Sequence, residues 1–409
     1  MESQYKNILI DEYNYELPQE KIAEHPLVSR DASHLLVWDG SIKDEIFSHL
    51  PDFLPLSATL VLNNTKVIEA RVFFQKETGA IIEIFCLEPW DPRDVAASMA
   101  VTTGRVQWLC LIGGASKWKK GQALHKKVLI DGEEVTLSAH YISKEVDSFI
   151  IEFDWTSHHA FAEVLHHAGA IPLPPYIKRK AEEEDATRYQ TIFAEHEGSV
   201  AAPTAALHFT KSVFDSLAQK NIHPHYVTLH VGAGTFKPVK AESIGEHAMH
   251  AESFLVEADT LRALLNAETI IAVGTTSLRT LESLHWLGVK LKEGHTDFTL
   301  EQWEAYDLEA KGVTYKASLQ ALLNHLEAKG EHTLHCRTSL IIVPGYHFKS
   351  AKALVTNFHQ PRSTLLLLVA AFIGEEWKKV YDHALTHNYR FLSYGDSSLL
   401  WRKNVSSAQ

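Results

Sequence analysis

The sequence predicts a layered α/β domain with a largely parallel sheet, carrying an inserted small antiparallel β-barrel. Three observations predict it. After Asp154, strand-like and helix-like segments alternate, as parallel sheets with crossover helices require. Between Ala70 and Phe153, short strands recur between Gly-rich or Asp-Gly turns, with no convincing helix among them. The segment before them reads as the first piece of the α/β domain, so the β module looks inserted into that domain or appended near its front. The expected organisation is residues 1–69 and 155–409 for the α/β domain and 70–154 for the barrel, with residues 284–340 as an elaboration outside the main sheet.

Along the chain, "YELPQEKIAEHPLVSRDASHLL" reads as a short helix between prolines and then a strand. "ATLVLNNTKVIEARVFF" is β-rich and broken by turn chemistry at Asn63-Asn64. The barrel strands are "GAIIEIFCLE", "RVQWLCLIGG", "KKVLI", "EEVTLSAHYI" and "DSFIIEF". "TSHHAFAEVLHHAG" is an amphipathic helix ended by glycine. Helices "KSVFDSLAQKN" and "EADTLRALLNA" precede strands "PHYVTLHVGAG" and "TIIAVG", and a helix follows from Ser277. "SLIIVPG" and "ALVTNF" read as further strands.

Lys plus Arg total 39 against 51 Asp plus Glu, a net charge of −12, which argues against a generic nucleic-acid binder. Totals hide patches. "KWKKGQALHKK" puts five lysines in eleven residues, and Lys178-Arg179-Lys180 follows "PLPPY". A solvated face explains each equally well. Three scattered cysteines exclude a disulfide framework and a thiolate zinc site and fit a reducing, cytoplasmic compartment. The opening residues do not read as a signal peptide, and "LLLLVAAFI" is far short of the ~20 residues of a membrane span.

Polar groups recur where apolar strands end, the usual place for pockets in α/β enzymes. "TLHVGAGTF" offers Gly232, Gly234 and Thr235, without the third glycine of a dinucleotide fingerprint. In "IIAVGTTSLRTLES", strand residues run into Gly274, Thr275, Thr276 and Ser277, with Arg279 in the first turn of the following helix. Free N–H groups and the helix dipole suit an anion or ribose hydroxyls there, although an ordinary capped turn has the same sequence. "GSVAAPTAALHFT" is uncharged and small-sided. Its small residues, around Pro203 and Thr204, would let a ligand approach the backbone, and His208 stands at its exit. "HAMHAE" spaces His247 and His250 by three, with Glu252 beyond, but lacks the partners of a metal site. "TNFHQPRS" brings Asn357 and His359 together, and "SYGDSS" sets Tyr394 and Asp396 about a tight turn.

These blocks jointly resemble the S-adenosylmethionine:tRNA ribosyltransferase-isomerase family of queuosine biosynthesis. The resemblance runs through "LPQEKIAEHPL", "RDASHLLV", "LVLNNTKVIEARVF", "PLPPYIKR", "RYQTIFAEHEGSVAAPTAALHFT", "TLHVGAGTFKPV", "HAMHAE", "IAVGTTSLRTLES", "PGYHF", "LVTNFHQPRSTLLLLVAAF" and "YRFLSYGDSSLL", in order over nearly the whole chain. It implies transfer and isomerisation of the ribosyl group of S-adenosylmethionine onto 7-aminomethyl-7-deazaguanine at the tRNA wobble position, releasing adenine and methionine and giving epoxyqueuosine. It also implies no metal or resident cofactor, because S-adenosylmethionine is consumed as a substrate. A monomer is expected. Three positions depart from the family pattern: Ala206 for glycine, Glu69 for proline and Gln360 for leucine. Residues 284–340 are longer than the family's connection. The departures leave open a paralogue with another acceptor, or one that binds RNA without catalysis. A nicotinamide oxidoreductase is the remaining rival.

Such chemistry needs proton transfer at an acidified carbon, a proton donor for departing adenine and a neutral acceptor amine. His208 or His250 would move protons; Glu252 or Asp396 would orient them or take the amine proton. Arg279 would hold the methionine carboxylate in bidentate fashion. Pro203, Thr204, Gly232, Gly234, Thr235, Gly274, Thr275, Thr276, Ser277, Asn357, His359 and Tyr394 complete the expected substrate site. Tyr176, Lys178 and Arg179 would contact tRNA, and Lys117, Lys119 and Lys120 form a second expected tRNA surface.

Overall fold

Strands buried on both faces read as continuous apolar runs, and half-buried strands alternate. The chain shows both textures. Ile270–Val273 and Ala353–Asn357 are buried at every position, whereas Arg71–Gln75 and Leu124–Ile130 alternate or expose most of their outward side chains. The two textures build two sheets. A computed structural model describes residues 2–232, 234 and 239–402.

The larger sheet has ten strands. Its centre is parallel: His223–Leu229, Thr59–Asn63, Ile270–Val273 and Ala353–Asn357 lie side by side in that order. Pairing turns antiparallel outward on both sides, to Glu252–Glu257 and to Ser397–Trp401. Alternate residues of a central strand feed opposite cores. Leu60 and Leu62 join Phe47, Phe209, Val213 and Leu217 on one face, and Val61 joins Leu278 and Leu281 on the other. Both faces are thus covered, giving three layers. The helix Thr364–Ile373 starts at Ser363, whose hydroxyl accepts the Leu366 N–H at 3.2 Å.

The smaller sheet has seven antiparallel strands, from Arg71–Gln75 through Phe149–Trp155 with a two-residue edge at Gly169–Ala170. Leu124–Ile130 at one end approaches Arg71–Gln75 near the other without pairing, so it is a curled half-barrel. The helix Phe161–Ala168 packs against it.

Several expectations are corrected. Residues 284–340 are not wholly outside the main sheet: Thr333–Thr338 pairs along Glu252–Glu257, and Thr299–Leu300 extends it further. "SLIIVPG" is irregular, because the strand is the alternating segment just before it. A short helix, Val95–Met99, interrupts the half-barrel, capped by the Asp94 carboxylate. Near the N-terminus the expected helix is only the 3-10 turn Gln19–Lys21. Among the described residues no helix is long and apolar enough to cross a membrane.

Candidate functional site

The parallel strands end along one edge, where open α/β sheets gather their ligands. Two adjoining clefts open there and share Val231. The first, with about 660 Å³ of empty space, belongs to the α/β body. Ala201 to Ala205 line it, opposite Gly274, Thr275, Thr276, Asn357 and His359. The second, about 1460 Å³, lies between the body and the half-barrel.

Local sequence explains the first cleft. Gly274 takes φ +90°, a backbone conformation that side-chain-bearing residues rarely adopt, as the strand Ile270–Val273 turns into the helix Thr275–Lys292. Its N–H donates to the Val355 carbonyl at 2.8 Å, fixing the turn to the neighbouring strand. Among the described residues the buried hydroxyls of Thr276 and Ser277 have no hydrogen-bond partner, and Thr276 lines the cleft. Buried orphan hydroxyls carry a desolvation cost that a bound polar ligand would remove. A narrow extension continues past Thr275 and Thr276 between Met249, Ile342, Leu365 and Leu368, and reaches Arg279.

His208 does not line either cleft. It is buried, with Nδ1 2.8 Å from the Ser33 hydroxyl and Nε2 3.4 Å from the Asn357 amide nitrogen. Burial pushes its pKa down to about 4, so the ring is neutral and accepts from Asn357. Asn357 in turn accepts from the Thr204 hydroxyl at 2.9 Å. His208 thus stands behind the cleft wall, where it holds Asn357, and Asn357 faces the cleft. His359 does face the cleft. Its Nε2 is 2.8 Å from the Thr356 hydroxyl, and burial lowers its pKa to about 3.

Asp396 is likewise structural. Its carboxylate accepts the backbone N–H of His34 at 3.0 Å and of Arg390 at 2.7 Å, away from both clefts. Tyr394 donates to Asp185 at 2.7 Å, and Arg179 grips the same carboxylate through two bonds of 2.6 and 2.8 Å. Neither the Tyr394 hydroxyl nor the Arg179 guanidinium is free for a ligand. Tyr176 lines the first cleft and shares a 2.6 Å hydrogen bond with Ser393, so it is part of the pocket wall. Lys178, Lys117, Lys119 and Lys120 are exposed and line neither cleft. Trp118, among those lysines, is buried.

His250, Glu252, Gly232 and Gly234 line the second cleft. Glu252, 9% exposed, accepts the Gly232 N–H at 2.9 Å and forms an ion pair with Arg279. Burial lowers the Arg279 guanidinium to about 10, which leaves it charged at neutral pH. This pair forms part of the wall between the second cleft and the narrow extension of the first. Thr235 lies outside the described residues. Among the described residues no group of His, Cys, Asp and Glu is arranged to hold a metal ion.

Three cleft residues carried no assignment from sequence. His230 lines the second cleft with Nδ1 2.9 Å from the Thr65 hydroxyl, and burial lowers its pKa to about 4. It sits in "TLHVGAG", where the glycines drew the reading. Trp90 and Arg93, in the barrel turn "EPWDPRD", gave no periodic signal. Gly198 explains how the barrel comes so close. A Cβ there would lie 2.3 Å from Val95 Cγ1 and 3.0 Å from His230 Nδ1.

Of the three departures from pattern, Ala206 packs in the apolar cluster with Phe47 and Phe209, away from the cleft. Glu69 pairs with His166 at 2.9 Å beside the half-barrel. Gln360 alone of the three lines the first cleft.

Comparison with known proteins adds the family. A family model described as queuosine biosynthesis protein matches residues 10–400. A protein of Aromatoleum aromaticum named S-adenosylmethionine:tRNA ribosyltransferase-isomerase is 37% identical over 404 residues, covering 97% of this chain and 99% of its own length. A Treponema denticola protein of the same name is 37% identical over 401 residues, covering 96% and 100%. The crystal structure of S-adenosylmethionine tRNA ribosyltransferase from Thermotoga maritima matches with 28% identity over 95% of this chain and 99% of that one, at a TM-score of 0.45. With a model match over nearly its whole length and relatives of this identity, the chain belongs to the queuosine biosynthesis protein family.

Proposed function

We propose that the chain transfers and isomerises the ribosyl group of S-adenosylmethionine onto 7-aminomethyl-7-deazaguanine at the wobble position of tRNA, giving epoxyqueuosine-tRNA, adenine and methionine. The observation that carries the reading is the paired site: a narrow cleft lined by small residues and hydroxyls, joined at Val231 to a wider one beside the half-barrel. The second cleft lies between the half-barrel and the body and is lined from both, which suits a nucleotide presented by a macromolecule. Relatives of about the same length carry the name of that activity.

In this reading the nucleoside of S-adenosylmethionine lies over Ala201–Ala205, against Thr204, Thr276 and Asn357. Its methionine arm fits the apolar extension, and the carboxylate meets Arg279 and the start of the helix Thr275–Lys292. The sulfonium acidifies the adjacent ribose C5′ protons. A base removes one, and the electron pair passes into the sugar as the bond to adenine breaks and adenine takes up a proton. The neutral amine then bonds to the sugar, and methionine leaves with the sulfur electron pair as the epoxide closes. The groups facing the clefts that can move protons are His359 in the first and His230, His250 and Glu252 in the second. The proposal uses no metal or resident cofactor.

The test incubates the protein with S-adenosylmethionine and precursor-bearing tRNA and follows adenine release and the tRNA nucleosides. Adenine and epoxyqueuosine appearing together are expected. Adenine without tRNA modification would indicate another acceptor, to which Gln360 in the cleft wall would be relevant. No adenine release would sink the reading.

A further inference from the structure

The interdomain cleft contains chemistry that neither the catalytic scheme nor the lysine clusters use. Its barrel wall is the end of the strand Ile81–Asp91 and the turn after it. In that strand Trp90 is 38% exposed, a large apolar ring left in water at the cleft mouth. The Arg93 guanidinium lies over that ring at 5.5 Å from its centroid. On the body side, the exposed Arg337 projects from the strand Thr333–Thr338 into the same cleft. Among the described residues neither arginine has a carboxylate partner, in a chain whose net charge is −12. Val146, 92% exposed, adjoins Asp147 in the hairpin that completes this lip.

An exposed tryptophan backed by a guanidinium, with a second unpaired guanidinium across a gap, matches a splayed nucleotide better than a folded protein surface. Every base has a π-face for the indole, and the phosphates on either side of it need cations. The carboxylates Glu88 and Asp147 in the same cleft oppose generic polyanion binding but suit a base that carries an ammonium. We propose that the barrel wall of this cleft seats an unpaired nucleotide of the RNA strand that carries the acceptor, its base stacked on Trp90 and its flanking phosphates held by Arg93 and Arg337. The half-barrel is then the arm that extracts a nucleotide from the loop, and the lysine patch is not required for that step. This inference rests on the tRNA reading above and adds the subsite.

Two measurements test it: direct binding of the precursor tRNA to the full-length protein across a salt series, and KM for tRNA and for S-adenosylmethionine separately. Trp90→Ala is expected to weaken tRNA binding and raise KM for tRNA by about 5- to 100-fold, from the loss of one stacked base. KM for S-adenosylmethionine should stay within about twofold, and Trp90→Phe should recover most of the loss. Arg93→Gln and Arg337→Gln should each reduce the salt slope of binding by about one. Because Trp90 is on the surface, thermal melting of each variant separates these effects from unfolding, and Arg337→Gln probes the site from the opposite wall. Wild-type tRNA affinity in Trp90→Ala, with turnover intact, overturns the subsite alone. A wild-type protein that binds no tRNA overturns the activity reading itself.

Discussion

The two clefts share one edge of one sheet and are built in opposite ways. The first is cut into a single domain, and its polar wall is wired before any ligand arrives: Thr204 to Asn357, Asn357 to His208, His208 to Ser33. The second is formed by two domains, with an exposed tryptophan, an exposed histidine and two arginines that have no carboxylate partner among the described residues on its walls. A small substrate profits from a preorganised pocket, because little ordering remains to be done on binding. A nucleotide on a flexible loop needs a wide mouth and long, adaptable side chains. Where the clefts meet, Glu252 and Arg279 form a buried ion pair, so each cleft's charge depends on the other's.

Breaking that pair has the largest expected effect. Arg279→Met leaves the Glu252 carboxylate buried and uncompensated, and should cost about 3–5 kcal/mol of folding stability, read by denaturant melts. It should also raise KM for S-adenosylmethionine. Adding Glu252→Gln should restore most of the stability but not the affinity. A single variant as stable as the wild type would show that the pair is not the seam between the clefts.

The wiring of the first cleft is tested by His208. A general base lost to alanine costs about 10²–10⁴-fold in turnover. As the residue that holds Asn357, His208→Ala should cost about 10- to 100-fold through misplacement, with the acid limb of the pH–rate profile unmoved. His208→Gln, which keeps an acceptor, should recover part of it. A lost acid limb would return His208 to the chemistry.

A pH-graded effect is expected from the buried histidines. His208, His230 and His285 are held near 4 and His359 near 3, all by burial, against an ordinary value of 6.5. Below about pH 6.5 the unfolded chain binds protons that the folded chain refuses. Stability contributed by these rings is therefore complete above 6.5 and falls as pH drops toward 4. Stability should rise with pH through that window. Urea melts from pH 7 to 4.5 check it, and a flat profile would mean the rings charge in place.

The smallest effect is expected at the lysines. Replacing Lys117, Lys119 and Lys120 by Gln should change stability by less than about 0.5 kcal/mol. It should raise KM for tRNA less than Trp90→Ala does. A larger rise would make the far end of the half-barrel the principal RNA surface.

Legibility differed between the two clefts for the same reason that their construction differs. Gly274 to Thr276, Pro203, Thr204, Asn357 and His359 were readable because each is a polar or small residue at the end of an apolar strand or loop. The second cleft was half readable. His250 and Glu252 stood out in "HAMHAE", but Trp90, Arg93 and Arg337 have no local pattern that marks a site. The placement of His208, Asp396, Tyr394 and Arg179 was not readable, because a polar side chain in a loop looks the same in sequence whether it faces a ligand, a carbonyl or a buried carboxylate.

By itself, the sequence determined the alternation of strands and helices, the half-barrel block, the glycine turn after Val273 and the ordered motifs that name a family. Those are local properties, set by periodicity and by the φ/ψ freedom of single residues. Only the tertiary structure decided that Ala206 turns its methyl into the core and that His208 supports Asn357 from behind. It alone decided that Thr333–Thr338 enters the main sheet, and that Trp90 and Arg337 face one gap from opposite domains. Those outcomes depend on which distant side chains burial brings within hydrogen-bonding or packing range, and sequence spacing carries no record of that distance.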